Sequence, residues 1–84
     1  MILTVQHTFG KMKIIVLDNI NEEEDTIKDV KQKLSEKLNV NVENDYLFYK
    51  KERLMNENQK IKDLQIKETD RILLIKNYVQ KVLL

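Results

Sequence analysis

An amphipathic helix with a recognisable start and end is the feature that most restricts how this sequence can fold. Four apolar residues recur at spacings of three, four and four along one helical stripe: Ile27, Val30, Leu34 and Leu38. Thr26 stands directly before the stripe as an N-cap, and Asp29 occupies the acidic position of a capping box. Asn39 follows where a left-handed residue commonly ends a helix. The sequence therefore predicts a helix over residues 27–38.

Residues 1–18, before the helix, are predicted to form two strands joined by a turn. In the first strand, alternation places Leu3 and Val5 on one face. Phe9-Gly10 is the predicted turn, because glycine, which occurs once in this chain, adopts the positive φ of a tight hairpin without steric cost.

The register of the second strand, residues 11–17, has two competing interpretations. The side chains that face inward are either the even-numbered set, Met12, Ile14 and Val16, or the odd-numbered set, Lys13, Ile15 and Leu17. Burial of an unpaired Lys13 would be costly, and a two-residue loop would pair Val5 with Ile14. The residue pattern therefore favours the even-numbered set.

After the helix, the sequence predicts a further series of short elements. Residues 40–43 are predicted to be a short extended connector, residues 46–49 a compact strand, residues 50–52 a charged turn, and residues 53–54 a brief strand or bridge. Residues 61–66 fit a short helical turn with one apolar side. Residues 71–75 are predicted to be a central strand, because four consecutive apolar residues indicate burial on one face and a binding role for the other.

Composition limits the class of protein. At 84 residues the chain is expected to hold one small domain, and its 42% hydrophobic and 35% charged residues are typical of a globular protein. No apolar run approaches the roughly 20 residues that span a bilayer. The absence of cysteine excludes disulfides, thiolate zinc sites and cysteine catalysis, and favours an intracellular protein. A net charge of +1 argues against nucleic-acid binding, which requires a basic excess or stripe.

Side chains that could carry chemistry stand alone in this sequence. His7 is the sole histidine and Ser35 the sole serine, and neither has a companion at a spacing that suits acid–base or nucleophilic catalysis. Residues 19–25 are predicted to be a polar loop, and its acidic residues 22–25 lack the alternating ligands and the glycine of a calcium-binding loop. We therefore expect no catalytic, metal-binding or cofactor-binding residue, no cofactor and no enzymatic activity.

The order of strand, glycine turn, strand, capped helix, strand, short helix and strand resembles that of the ubiquitin-like β-grasp family. Over residues 1–76, the residues that match ubiquitin in kind and order are Met1, Val5, Gly10, Lys11, Asp25, Thr26, Ile27, Val30, Lys31, Leu47, Leu54, Ile61, Asp63, Leu64 and Ile66. The resemblance implies an α+β ubiquitin-like fold, in which a mixed sheet of four to five strands packs on one main helix, with a short 3₁₀ turn. It also implies the odd-numbered register for the second strand.

The resemblance further implies the interior of the domain. The residues expected to face inward are Leu3, Val5, Ile27, Val30, Leu34, Leu47, Tyr49, Leu54, Ile66, Ile72 and Leu74. Each contributes about 1.5–3 kcal/mol on burial before the entropy of folding is subtracted, which suffices for a small core. The domain is expected to span residues 1–77, and residues 78–84 form a C-terminal tail whose pattern fits either a helical stripe or an extended edge.

Two departures separate this sequence from ubiquitin-like modifiers. Modifiers of the family are ligated through a C-terminal Gly-Gly, whereas no glycine follows Gly10 here. Glu52 and Glu68 stand where ubiquitin has its two best-known linkage lysines. The resemblance therefore implies a non-conjugated domain, expected to be the N-terminal module of a larger cytoplasmic or nuclear protein. The alternative is a modifier processed from a precursor that continues past Leu84.

In this family an apolar patch on the exposed sheet face binds receptor proteins. Alternation turns Phe48, Leu73 and Ile75 outward, and Phe48 and Ile75 match the two central residues of the family patch. The full predicted protein-binding set is Thr8, Phe9, Phe48, Lys50, Lys51, Leu73 and Ile75, with Arg53 nearby. The partners implied are ubiquitin-receptor or proteasome-type proteins. The competing interpretations are a patch covered by the tail, self-association through the same face, and β-grasp binding of a small GTPase or of RNA.

Overall fold

A computed structural model of the protein describes residues 1–8 and 13–77. Within them the chain forms five strands and two helices, in the order β1 (Leu3–His7), β2 (Ile14–Leu17), α1 (Ile27–Leu38), β3 (Tyr46–Tyr49), β4 (Glu52–Arg53), α2 (Ile61–Leu64) and β5 (Arg71–Ile75). The predicted Phe9-Gly10 turn and the tail over residues 78–84 lie outside the described residues. α2 is one turn of α-helix, where the resemblance implies a 3₁₀ turn.

The sequence signals at both ends of α1 are confirmed. The Asp29 backbone N–H donates to Thr26 Oγ1 at 3.4 Å, and the Thr26 backbone N–H donates to the Asp29 carboxylate at 2.9 Å, which completes a capping box. Asn39 adopts the left-handed conformation with a φ of 55°, and its N–H donates back to the last turn of the helix. These contacts satisfy backbone groups that a helix leaves unpaired, so α1 begins and ends where predicted.

The strands form one mixed five-stranded sheet in the order β2-β1-β5-β3-β4. β1 and β5 run parallel at its centre, and the other neighbouring pairs are antiparallel. One face of the sheet, the inner face, packs with α1 around a core that contains all eleven residues expected to face inward. The predicted α+β fold is therefore confirmed. Neither of the two described helices is long and apolar enough to cross a membrane.

The favoured register of the second strand, with its even-numbered side chains inward, is wrong. β1 pairs with β2 so that Val5 lies opposite Ile15. Ile15 and Leu17 are buried, while Ile14 and Val16 are 42% and 47% exposed. The odd-numbered register, which the family resemblance implies, is the one observed.

Two assumptions led to the wrong register. β2 begins at Ile14, so Lys13 precedes the strand and stays exposed, and no charge has to be buried. A two-residue loop would have placed Ile14 opposite Val5, whereas Ile14 lies opposite Gln6, one residue further along β1. Met12 lies outside the described residues.

Two buried residues belong to segments predicted to be connections. Ile20 is 3% exposed in the loop before α1, and the amino group of Met1 donates to its carbonyl oxygen at 3.1 Å. Val42 is fully buried in the connector after α1, and its N–H donates to Ser35 Oγ at 3.0 Å. The sole serine thus fastens the connector to the helix.

Candidate protein-binding face of the sheet

The sheet has an outer face, on the side opposite α1. Its described side chains are Thr4, Gln6, Ile14, Val16, Tyr46, Phe48, Arg53, Arg71, Leu73 and Ile75. All of them are exposed or half-buried, whereas the alternate residues of β1, β2, β3 and β5 are buried. The outer face is therefore the surface on which a partner could bind.

Phe48, Leu73 and Ile75 form an apolar patch on the outer face, called the patch below. Leu73 lies opposite Phe48 in the antiparallel pair of β5 and β3, and Ile75 follows on the same side of β5. Side chains at opposite positions of such a pair have Cβ atoms about 4.5–5.5 Å apart, close enough for contact. Leu73 is 36% exposed and Ile75 37%. The structure thus brings the three predicted residues together, and their binding role stays a prediction.

The other predicted binding residues lie beside or outside this area. Lys50 and Lys51 form the turn between β3 and β4, where both have left-handed φ values, 51° and 68°. The Lys50 ammonium lies 5.4 Å from the centre of the Tyr49 ring, and Tyr49 belongs to the inner face, so Lys50 is turned away from the patch. Thr8 is exposed directly after β1. Phe9 lies outside the described residues.

Positive charge borders the patch on two sides. Arg53 lies opposite Phe48, and its guanidinium carbon is 3.9 Å from the centre of the Tyr46 ring, a cation–π contact. Arg71 lies on the same side of β5, two residues before Leu73. The described outer face carries no acidic side chain. The sequence prediction missed Arg71, although alternation within residues 71–75 is sufficient to place it there.

Ile14 and Val16 are also missing from the predicted binding set. Both lie on the outer face of β2, opposite Gln6 and Thr4 respectively. They form a separate exposed apolar area at the edge of the sheet, because the polar side chains of Thr4 and Gln6 on β1 lie between them and β5. The wrong register assigned them to the core, and only the observed pairing of β1 with β2 reveals them.

Both ends of β5 are held by carboxylates. Before the strand, Asp70 accepts a hydrogen bond from the Tyr49 hydroxyl at 2.5 Å and one from the Lys67 backbone N–H at 3.1 Å. After the strand, the buried Asp45 accepts a hydrogen bond from the Asn77 backbone N–H at 2.8 Å. These bonds fix the position of the strand that carries two residues of the patch.

The hydrogen bond between Tyr49 and Asp70 affects the pKa of both groups. Donation by the Tyr49 hydroxyl, helped by the Lys67 N–H, lowers the pKa of Asp70 below its ordinary value of 3.8, because both bonds stabilise the carboxylate. The same bond raises the pKa of Tyr49 above 10.0, because the phenol must stay protonated to donate. At neutral pH the pair is therefore a carboxylate and a neutral phenol with a structural role.

The structure also shows where His7 and the acidic loop, which the sequence analysis considered for chemistry, are located. His7 is buried at the end of β1. In the acidic loop, burial would raise the pKa of Asp25, but hydrogen bonds from Lys33 and the Asn21 N–H, with the Lys33 charge, lower it below 3.8. Within residues 1–8 and 13–77, no group of histidine and acidic side chains is arranged to hold a metal ion.

Solved structures share this architecture, and two of them are described here. A ubiquitin from Caldiarchaeum subterraneum superposes with a TM-score of 0.75 over 95% of this chain and 96% of its own, at 19% identity. A protein from Arabidopsis thaliana, solved in solution by NMR, superposes with a TM-score of 0.68 over 92% and 87% of the two chains, at 23% identity. No curated protein matches the sequence. The sequence model of the ubiquitin family matches residues 11–77, and the chain therefore belongs to the ubiquitin family.

Proposed function

We propose that this domain binds other proteins through the patch and has no catalytic activity of its own. The observation that carries the proposal is the apolar surface that Leu73 and Ile75 leave open on the outer face. Contiguous exposed apolar side chains are typical of an interface, because their contact with water is unfavourable until a partner covers them.

Charge narrows the class of partner. Arg53 and Arg71 border the patch, and no acidic side chain on the described outer face offsets them. An amphipathic helix with acidic residues beside its apolar stripe would complement both features. Such a helix fits the ubiquitin-receptor and proteasome-type partners that membership of the family suggests.

In this proposal the domain acts without being conjugated, as a module of a larger cytoplasmic or nuclear protein. Conjugation of ubiquitin-like modifiers proceeds through a C-terminal Gly-Gly, and the sequence contains no glycine after Gly10. A Gly-Gly encoded shortly beyond Leu84 would instead favour a modifier processed from a longer precursor. The reading frame beyond Leu84 distinguishes these two functions.

Two other functions known for β-grasp domains make different demands on the sheet. RNA binding would use Tyr46 and Phe48 as stacking surfaces, but the Arg53 guanidinium already covers one face of the Tyr46 ring. Binding of a small GTPase would use the edge of the sheet instead of the patch. Protein binding is favoured because it directly uses the exposed aliphatic side chains of β5.

The proposal is tested by NMR titration of the labelled domain with a synthetic helical peptide that has one apolar and one acidic face. Isolated ubiquitin-receptor and proteasomal receptor domains are titrated in parallel. We expect the largest shift changes in β3 and β5. Phe48→Ala and Ile75→Ala are each expected to weaken binding at least about fivefold, since truncation of a central apolar contact commonly costs more than about 1 kcal/mol.

Val40→Ala is the matched control, because Val40 is 45% exposed after the end of α1 and lies outside the outer face. Its binding is expected to equal that of the original domain. If the Phe48→Ala and Ile75→Ala variants bind every partner as tightly as this control, the patch is not the binding surface. Salt-dependent binding of single-stranded RNA, with no binding of the peptide, would favour the RNA function instead.

A further inference from the structure

Two positive charges lie at opposite ends of the patch. Of the described side chains on the outer face, only those of Arg53 and Arg71 are charged. Arg71 is two residues before Leu73 in β5. The Arg53 guanidinium lies over the Tyr46 ring, and Tyr46 is opposite Ile75, near the other end of the strand. The charges are therefore separated along the direction of β5, with the apolar side chains of the patch between them.

The distance between the two charges follows from the strand that lies between them. Arg71 and Ile75 are four residues apart in β5, and a strand rises about 3.3 Å per residue, which gives about 13 Å along the strand. An α-helix covers the same length with about nine residues. Side chains about seven or eleven residues apart lie on one stripe of a helix. These two spacings bracket the distance between the charges.

Both arginines are available to a partner. Neither forms an ion pair with another residue in the part of the chain that the structure describes. The Arg53 guanidinium is 3.9 Å from the centre of the Tyr46 ring, and this contact restricts the side chain before any partner binds. A restricted side chain loses less entropy when it pairs with a carboxylate, so Arg53 is prepared for that contact.

Acidic side chains beside Arg53 do not cancel its charge. Glu43, Asp45 and Glu57 line a groove that also contacts Arg53, beyond the edge of the outer face. Glu57 is paired with Lys31 at 3.2 Å, and Asp45 is buried. None of the three forms an ion pair with Arg53 in the described structure. The positive charge at this end of the patch therefore stays open to an acidic partner.

The positions of the charges select the direction in which a helix would lie. Across the sheet, the row of side chains at Arg71 continues through Thr4 to Val16, and the row at Ile75 includes Tyr46. A helix along either row would meet only one of the two positive charges. A helix along β5 meets both charges and the apolar side chains between them.

We propose that the partner helix lies along β5 and carries an acidic residue at each end of its apolar stripe, about seven to eleven residues apart. Arg71 binds one of these acids and Arg53 the other, while Leu73 and Ile75 contact the apolar residues between them. The two arginines thereby distinguish this helix from one whose acidic residues are clustered at one end. This inference rests on the proposed function, since it concerns the same patch.

Two helical peptides with the same residues in different order test the proposal by NMR titration of the whole chain. Both have the same apolar stripe and two glutamates. In the two-ended peptide the glutamates flank the stripe, and in the one-ended peptide both precede it. We expect the two-ended peptide to bind about 1.5- to 5-fold more tightly, because the other can form only one of the two exposed ion pairs. Circular dichroism establishes that the two peptides are equally helical.

Charge reversals in the domain identify the arginines that bind the acids. Arg53→Glu and Arg71→Glu are each expected to weaken binding of the two-ended peptide roughly two- to tenfold, as an ion pair gives way to like charges. Lys28→Glu is the matched control, since it changes the net charge equally at an exposed residue of α1, on the other side of the sheet. Its binding is expected to equal that of the original domain. Thermal unfolding establishes that all three variants are folded.

A charge swap tests the pairing directly. Replacement of one glutamate of the two-ended peptide by lysine is expected to weaken binding to the original domain and to restore binding to the Arg71→Glu variant. No restoration would overturn the proposal, as would equal binding of the two peptides. Equal behaviour of Lys28→Glu and either arginine variant would also overturn it.

The outcomes separate this inference from the proposed function. If both peptides bind equally and Phe48→Ala weakens both, the patch remains the binding surface and only the direction and spacing are wrong. If neither peptide binds, both proposals fail. Binding of anionic phospholipid vesicles that each arginine variant weakens, without binding of either peptide, would assign the two charges to a lipid surface instead.

Discussion

Leu73 and Leu74 are neighbours in β5 but lie on opposite faces of the sheet. Leu74 is fully buried on the inner face, while Leu73 is 36% exposed on the outer face. Both belong to the same strand, between β1 and β3. Only the direction of the side chain differs, because it alternates from residue to residue along a strand. Residue type therefore does not distinguish apolar side chains that stabilise this domain from those open to a partner.

The strongest test of this comparison is substitution of the two leucines. Leu74→Ala is expected to lower the free energy of unfolding by about 2–5 kcal/mol, because it removes buried apolar surface and leaves a cavity. Leu73→Ala is expected to change it by no more than about 0.5 kcal/mol, as is usual for surface positions. Urea unfolding followed by circular dichroism measures both. Equal losses would mean that the outer face is also part of the stabilising core.

The helix α1 packs on the inner face of the sheet. The next largest loss of stability is therefore expected from a substitution that weakens the start of α1. Thr26→Ala removes the hydroxyl that accepts the Asp29 N–H, and a lost N-cap costs about 0.5–2 kcal/mol. Thr26→Ser retains the hydroxyl and is expected to restore most of the stability. The same unfolding measurement distinguishes them. Equal stability of the two variants would show that the cap is not needed to hold the helix on the sheet.

Substitution of Arg53, on the outer face, is expected to lower stability less than the loss of the Thr26 cap does. The Arg53 side chain contacts the half-buried Tyr46 ring from an exposed position, and cation–π contacts at exposed sites contribute about 0.5–1 kcal/mol. Arg53→Ala is therefore expected to lower stability by no more than that, and to weaken binding of an acidic helical peptide. Arg53→Lys keeps the charge and is expected to retain the salt dependence of binding. A loss of stability as large as that of Leu74→Ala would contradict the separation of the two faces.

The last prediction compares an inner tyrosine with an outer one under acid conditions. The folded pKa of Asp70 is lowered, so its contribution to stability is complete above the ordinary value of 3.8 and is lost as pH falls through the folded pKa. Tyr49→Phe removes the main cause and is expected to move the Asp70 pKa back toward 3.8. Tyr46→Phe, on the outer face, is expected to leave it unchanged. Carboxyl ¹³C shifts recorded during acid titration give the pKa in each variant.

The helix could be predicted because its signals are local, whereas the inward-facing core residues were predicted from the resemblance to the ubiquitin-like family. The stripe of α1, its cap at Thr26 and its end at Asn39 all lie within one short segment, and each is present in the structure. Alternation in β5 likewise placed Leu73 and Ile75 outward without knowledge of the neighbouring strands. These features depend on the geometry of one element, which the spacing of its residues reports.

The register of β2 could not be predicted from the strand itself. Ile14–Leu17 is apolar at every position, so alternation has no polar residue by which to distinguish its faces. The burial of Ile20 and Val42 could not be predicted for a related reason. Ile20 is an isolated apolar residue in a polar segment, without the repeated spacing that marks a buried face. Val42 follows Val40 at the spacing of a strand, but Val40 is exposed, so the spacing does not identify the buried residue.

By itself, the sequence determined the order of the elements and the ends of α1. The outward direction of the patch residues on β3 and β5 followed from alternation together with the inward set that the family resemblance implies. The tertiary structure decided which face of β2 is buried, and thereby exposed Ile14 and Val16 on an edge strand of the sheet. It also placed Arg53 over Tyr46, a contact that depends on the pairing of β3 with β4. The physical reason is that a strand's own residues fix its alternation, whereas only its neighbours fix its register.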